Sequence, residues 1–166
     1  MQIYSDKKDL ELPVASVEFY KVNGKLNLLV GSTLGYLVTY MNINPSNKLQ
    51  NNLVINNSHL EEAIVDVKLV DLTDNGIIEI AVLYFNKVIH IYRIIDYNKY
   101  NFVGRYELKE VINFPFKFSF LKRNNQEYKI LLFANNHVYE YDLNVFEQHD
   151  VLSDSKDSLD SNIFCQ

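Results

Sequence analysis

The chain of 166 residues contains one cysteine, no tryptophan, three prolines and five glycines. The single cysteine, Cys165, cannot form an internal disulfide, which excludes a disulfide-stapled secreted scaffold. It also lacks neighbours that would lower a thiol pKa, so thiol catalysis is not expected. Long apolar runs are missing: none approaches the roughly 20 residues of a bilayer-spanning helix, so no membrane insertion is expected. Met1 to Ser5 lacks the basic-then-apolar layout of a signal peptide. Basic excess is missing too, because 16 Lys and Arg face 21 Asp and Glu, a formal charge of −5. That balance argues against nucleic acid, whose binding needs a basic face that displaces counterions from phosphate. These absences point to an intracellular, cytoplasmic protein, a nuclear one being also compatible. No G-x-S-x-G, P-loop or dinucleotide fingerprint occurs, so an enzyme is not expected.

What is present favours strands. The chain has 12 Tyr and 10 Phe beside many Val and Ile, the residues that suit a pleated, half-buried surface. Asn is abundant and replaces Gly in turns, since it tolerates the left-handed backbone. A strand-turn-strand-turn-strand unit recurs three times, about fifty residues apart, starting near Val14, Ile64 and Pro115. A period of this size marks propellers, solenoids and arrays.

In the first unit the expected strands are 15–20, 26–32 and 36–43, and in the second 64–70, 77–84 and 87–95. In the third they are 116–121, 128–134 and 137–143. Gly35, Asn86 and Asn136 align at the second turn as residues able to take positive φ. Leu37, Val88 and Val138 then follow, and Tyr40, Ile91 and Tyr141 come three residues later. A fourth strand is expected before each unit, at 1–5, 53–57 and 102–111. The chain thus reads as all-β, one repeat domain over 1–145 made of three four-stranded antiparallel blade-like sheets, at about 1–43, 50–96 and 101–145. Residues 146–166 are acidic, Ser-rich and aperiodic, and read as a flexible, disordered tail. Within it, Asp150–Asp160 has the composition of a solubilising or partner-binding segment.

Four-stranded units ending in turn-Gly/Asn-x-h-h-x-h-Tyr resemble the blades of a β-propeller. The middle unit, VDLTDNGIIEIAVLYFNKVIHIYRI, is similar to the FG-GAP-like, integrin-α-type blade with the core D-x-D-x-D-G-x-x-E-h-h-V, which kaptin-like propeller proteins also carry. LLVGSTLGYLVTY in the first unit is blade-like, whereas Glu127-Tyr128-Lys129 departs from the G-x-x-E phrase in the third. The resemblance implies a partial propeller and a scaffold role in a regulatory complex, in nutrient signalling or at the cytoskeleton. Propellers close with about four to eight blades. Three blades leave an apolar face at both ends, of the kind that marks an interface. The expected function is therefore a non-enzymatic protein–protein interaction module, a scaffold or regulatory subunit whose open arc is completed by a protein partner or by a homodimer closing a six-bladed ring.

The sharpest chemical candidate is the loop Asp71-Leu-Thr-Asp-Asn-Gly76. Asp71, Thr73 and Asn75 fall at positions 1, 3 and 5 of a calcium loop, Gly76 at the bend and Glu79 at position 9. The resemblance implies that such a loop can hold calcium, so a calcium- or ligand-binding all-β domain is the alternative function. The competing reading is a polar turn in which Asp71 bonds its own backbone. Thr and Asn at positions 3 and 5 remove charge from the cage, and calcium affinity follows ligand charge. His59, His90, His137 and His149 show no metal-type spacing. His90 and His137 are expected on strand surfaces, and His59-Leu-Glu-Glu in a solvated loop. The Tyr-rich strands at 86–100 and 137–146 suit half-buried sheet, the preferred reading, and an interface as the second one.

Overall fold

The computed structural model describes residues 12–46, 49–57, 59–109, 114–124 and 127–143. The expected segment 1–5 and the tail 146–166 lie outside the described residues. Eleven strands form three antiparallel sheets that do not close into a barrel, and no described residue is helical. The first sheet contains β1 (Val14–Val22), β2 (Lys25–Ser32), β3 (Leu37–Tyr40) and β4 (Asn52–Val54) in chain order. The second contains β5 (Ile64–Val70), β6 (Glu79–Tyr84), β7 (Val88–Asp96) and β8 (Lys99–Glu107). The third contains β9 (Lys117–Asn124), β10 (Glu127–Ala134) and β11 (His137–Leu143).

The sheets stack like blades, with the first strand of each innermost: β1 lies beside β5, and β5 beside β9. One core fills the space between the first two sheets, from Tyr20, Leu29 and Leu37 to Ile80, Val82 and Tyr84. A second fills the next gap, from Ala81, Leu83 and Ile89 to Phe118, Ile130 and Leu132. The second sheet is therefore covered on both faces, which explains why EIAVLY is an unbroken buried run. Buried Asp66 ties the three innermost strands together. Its carboxylate accepts from Ser16 Oγ at 3.0 Å and from the Phe118 backbone N–H at 3.3 Å.

β1 and β5 carry the same irregularity, between Val14 and Ser16 and between Ile64 and Asp66, against the ends of β2 and β6. The β1–β2 hairpin turns through Asn23 and Gly24, both at positive φ, as a type I′ turn requires.

Three expectations need correction. In the first two units the fourth strand follows the unit instead of preceding the next one: β4 pairs with β3, and β8 with β7. Residues 53–54 and 102–107 thus belong to the sheet before them, and the third sheet has three strands among the described residues. For β8 the reason is local, because it follows β7 through the short turn after Asp96.

The second correction concerns the second turn. Positive φ falls on Gly35, Lys87 and Asn135, and not on Asn86 or Asn136. The ladders pair Gly31 with Leu37 and Leu83 with Ile89. Gly35 N–H bonds Ser32 O and Lys87 N–H bonds Tyr84 O, both at 3.0 Å, so 33–35 and 85–87 are three-residue loops that end on the left-handed residue. Leu37 therefore corresponds to Ile89, and Tyr40 to Tyr92. The expected equivalents, Val88 and Ile91, are one residue out and on the opposite face.

The third correction concerns the two ends of the stack, which are not alike. On the first sheet, Val30, Val38 and Tyr40 are buried beneath a layer that includes Leu12, Ile43 and Leu49. Among the described residues the inner rim, notably Val17 and Phe19, is open there. The third sheet's outward face has no such layer among the described residues.

Candidate interaction surface

The Asp71 loop resolves into a self-bonded turn. Asp71 accepts from the backbone N–H of Asn75 at 3.2 Å and of Gly76 at 2.7 Å, and Asn75 Oδ1 accepts from Ile77 N–H at 2.8 Å. Gly76 and Asp74 take positive φ. Glu79, at the expected position 9, is buried and points elsewhere. Its Oε2 accepts from Leu72 N–H at 2.9 Å, and its Oε1 pairs with Arg93 Nε at 3.0 Å. Asp74 pairs with Lys122 at 2.8 Å. Thr73 Oγ1 is buried without a hydrogen-bond partner among the described residues. A cation here would meet one carboxylate, Asp71, that lacks a cationic side-chain partner, because Arg93 already neutralises Glu79. These residues do not fit a calcium cage, which needs several unpaired oxygen ligands. No group of three or more His, Cys, Asp or Glu among the described residues is arranged to hold a metal.

The histidines separate. His137 is exposed at the start of β11, as expected, but His90 is buried. The second sheet is covered on both faces, so alternation along β7 places His90 between Tyr84, Tyr92 and Phe102 rather than in solvent. Its Nδ1 lies 3.2 Å from Tyr92 Oη, and its Nε2 3.3 Å from Glu61 Oε1 without the alignment of a hydrogen bond. Glu61 also accepts from Arg105 Nε and Asn86 Nδ2, both at 2.8 Å. The segment His59-Leu-Glu-Glu is thus partly a latch, in which His59 also stacks on Phe102 at 4.1 Å. Burial pushes the His90 pKa down, against the raising effect of Glu61. For Glu61, burial acts upward but the bonds from Arg105 and Asn86 outweigh it and lower the pKa. This arrangement fixes the linker between the first two sheets and offers no open nucleophile or acid pair.

The Tyr-rich strands also act internally. Tyr20 Oη bonds Thr39 Oγ1 at 2.7 Å and Tyr100 Oη at 2.6 Å, joining the first two sheets. Burial and the Tyr100 contact hold the Tyr20 pKa far above the phenol range, with Thr39 opposing, so the hydroxyl stays protonated. Tyr139 and Tyr141 pack inward against the second core. A shallow cleft of about 440 Å³ lies where the ends of the first two sheets meet, lined by residues such as Lys25, Asn42, Asn51, Tyr97 and Asn98. It has no acid, histidine, serine or cysteine in its lining.

Among the described residues, the outward face of the third sheet carries no covering layer. Cross-strand register places Lys117, Phe133 and Val138 in one row, Ser119, Leu131 and Glu140 in the next, and Leu121, Lys129 and Asp142 in the third. Val138 is 61% and Leu121 47% exposed, with Phe116 and Phe114 exposed at the adjoining edge. Leu131 and Phe133 are half-buried. Lys129 pairs with Glu140 and Asp142. Sequence reading found β11 but weighed its tyrosines, which point inward, and passed over Val138, Leu121 and Phe133. The available signal was alternation, since Val138, Glu140 and Asp142 oppose Tyr139 and Tyr141.

No protein-family model matches the chain, and no curated protein matches it.

Proposed function

We propose that this chain is a non-enzymatic protein–protein interaction module, a scaffold or regulatory subunit whose stack of blade-like sheets is continued by another protein surface. The observation that carries this reading is the outward face of the third sheet, with apolar side chains in the position where the other two sheets bury theirs. Each sheet interface within the stack is an apolar layer, and burying such a layer contributes about 25 cal/mol per Å². A cytoplasmic setting and a propeller-like scaffold role belong to the same proposal.

A photoreactive residue at Val138, compared with one at Ile77 on the exposed Asp71 loop, tests the reading in source cells. Specific protein adducts from Val138 and few from Ile77 are expected. Equal labelling from both positions, or none from Val138, sinks it.

A further inference from the structure

The nine side chains on the outward face of the third sheet are not scattered. Leu121 on β9, Leu131 on β10 and Val138 on β11 run diagonally across three strands, with Phe133 on β10 beside Val138. Lys117 occupies one corner beside this stripe, and Asp142 occupies the corner diagonally opposite. Asp142 is 78% exposed even with Lys129 at 3.4 Å. Lys117 is exposed as well.

Resting on the interaction-module reading, we propose that the occupant of this face is a second copy of the chain, packed about a two-fold axis that runs along the apolar stripe. A two-fold interface is isologous, so each patch must be its own complement. Rotation about the diagonal lays Leu121, Leu131 and Val138 each over its own counterpart, and sets Phe133 of each copy over the stem of the other copy's Glu140, whose carboxylate pairs with Lys129. It exchanges the two corners, bringing Lys117 of each copy over Asp142 of the other. Rows and strands also exchange, so the two sheets cross near a right angle, one of the two known ways sheets pack. A different axis, parallel to the strands, would set Lys117 against Val138 and forfeit both ion pairs.

This mode differs from a six-bladed ring. Ring closure needs the third sheet of each copy to cover the first sheet of the other. The layer over Val30, Val38 and Tyr40 already occupies that position. The two-fold proposed here uses the open end alone.

The face is small. Three strands about 4.8 Å apart and eight residues rising about 3.4 Å each give a patch near 14 by 27 Å. Crossed sheets share only about 14 by 14 Å of it, at the bottom of the weak, reversible range, so a dissociation constant of about 100 μM is expected, on the order of −5.5 kcal/mol.

Sedimentation equilibrium of the full chain, from about 1 to about 500 μM to bracket that value, reads the result directly. The wild type should move from monomer to dimer. Lys117→Asp and Asp142→Lys should each weaken self-association at least about tenfold, because each sets two like-charged pairs across the two-fold. Mixing these variants should restore dimers, since every contact in the mixed pair is opposite in charge. Both variants sit on exposed positions, and circular dichroism checks that each remains folded. A wild type that stays monomeric, single variants that dimerise as wild type, or a mixture that fails to associate would each overturn the proposal. If Val138 captures a different protein while the chain alone stays monomeric, the interaction-module reading stands and the second copy falls.

Discussion

At the residue scale, Gly31 shows why a glycine stands inside a strand. A Cβ built there would lie 2.7 Å from Ile64 Cγ2 and 2.9 Å from Val67 Cγ2. Both neighbours are β-branched, buried and stiff at χ1, so the inner strand of the second sheet would have to move. Gly31→Ala is expected to cost about 1–3 kcal/mol, as overpacking does, read as a lower urea midpoint with unchanged slope. Asp71 gives a contrasting case. Its carboxylate stabilises the turn through two backbone N–H groups, so Asp71→Ala should lower stability by about 1 kcal/mol. The loss should be the same with millimolar calcium as with chelator. A calcium-dependent difference between wild type and variant would contradict the self-bonded reading of this loop.

At the scale of elements, strand positions were legible because β-branched and aromatic runs are bounded by Asn- and Gly-bearing turns. Register was legible only where the turn declared its length. Asn23-Gly24 does so, because a two-residue turn with positive φ at both positions suits that pair. Phe85-Asn86-Lys87 hides it, since Lys takes the left-handed position that a reader assigns to Asn, and the slip moved Val88 and Ile91 to the wrong face. The cost of that choice is testable. A left-handed non-glycine residue is strained by about 1–2 kcal/mol, offset in part by glycine's greater freedom in the unfolded chain. Lys87→Gly should therefore stabilise by about 0.5–1 kcal/mol, seen as a raised melting temperature. The placement of β4 and β8 was not legible: β4 has three residues, too few for alternation to declare a partner. The candidate site was legible in part, as an expected open face, but the layer over the first sheet depends on long-range packing of Leu12, Ile43 and Leu49.

The linker latch belongs to this scale too, and its pH dependence has a definite sign. His90 is harder to protonate in the folded protein than in the unfolded chain. Its contribution is complete above the imidazole's ordinary pKa of about 6.5 and declines as pH falls toward the lower folded value. Groups facing it are Glu61 and His59 from the linker, Tyr84 from β6, Tyr92 from β7, and Arg105 and Phe102 from β8. Glu61, also lowered, adds a second loss in the same direction at more acid pH. Unfolding free energy should thus fall in two arms below about pH 6.5. His90→Gln should flatten the upper arm and Glu61→Gln the lower. An unchanged profile in both variants would remove the latch from the account.

For the whole molecule, the stack predicts a gradient of local stability. Each sheet contacts only its neighbours, so cooperativity should resemble that of repeat proteins. The second sheet is covered on both faces, and every residue of β6 is buried. The third sheet shares one core with it and leaves its other face open, with β11 exposed at alternate positions. Local opening free energies range from near zero up to the global value, and the low end belongs to segments with few buried contacts. Native-state hydrogen exchange should find β6 and β7 slowest, opening only with global unfolding, and β11 fastest among the third sheet's strands. Asp66 couples this gradient to the rest, because it bonds Ser16 of the first sheet and the Phe118 amide of the third from a buried position in the second. Removing a buried carboxylate that satisfies such donors leaves them unpaired, at about 1–3 kcal/mol each. Asp66→Ala should therefore accelerate exchange in β9 and β10 more than in β6 and β7, separating the third sheet's opening from global unfolding. Uniform acceleration across all three sheets would mean that they open as one unit and that Asp66 adds stability without acting as their link.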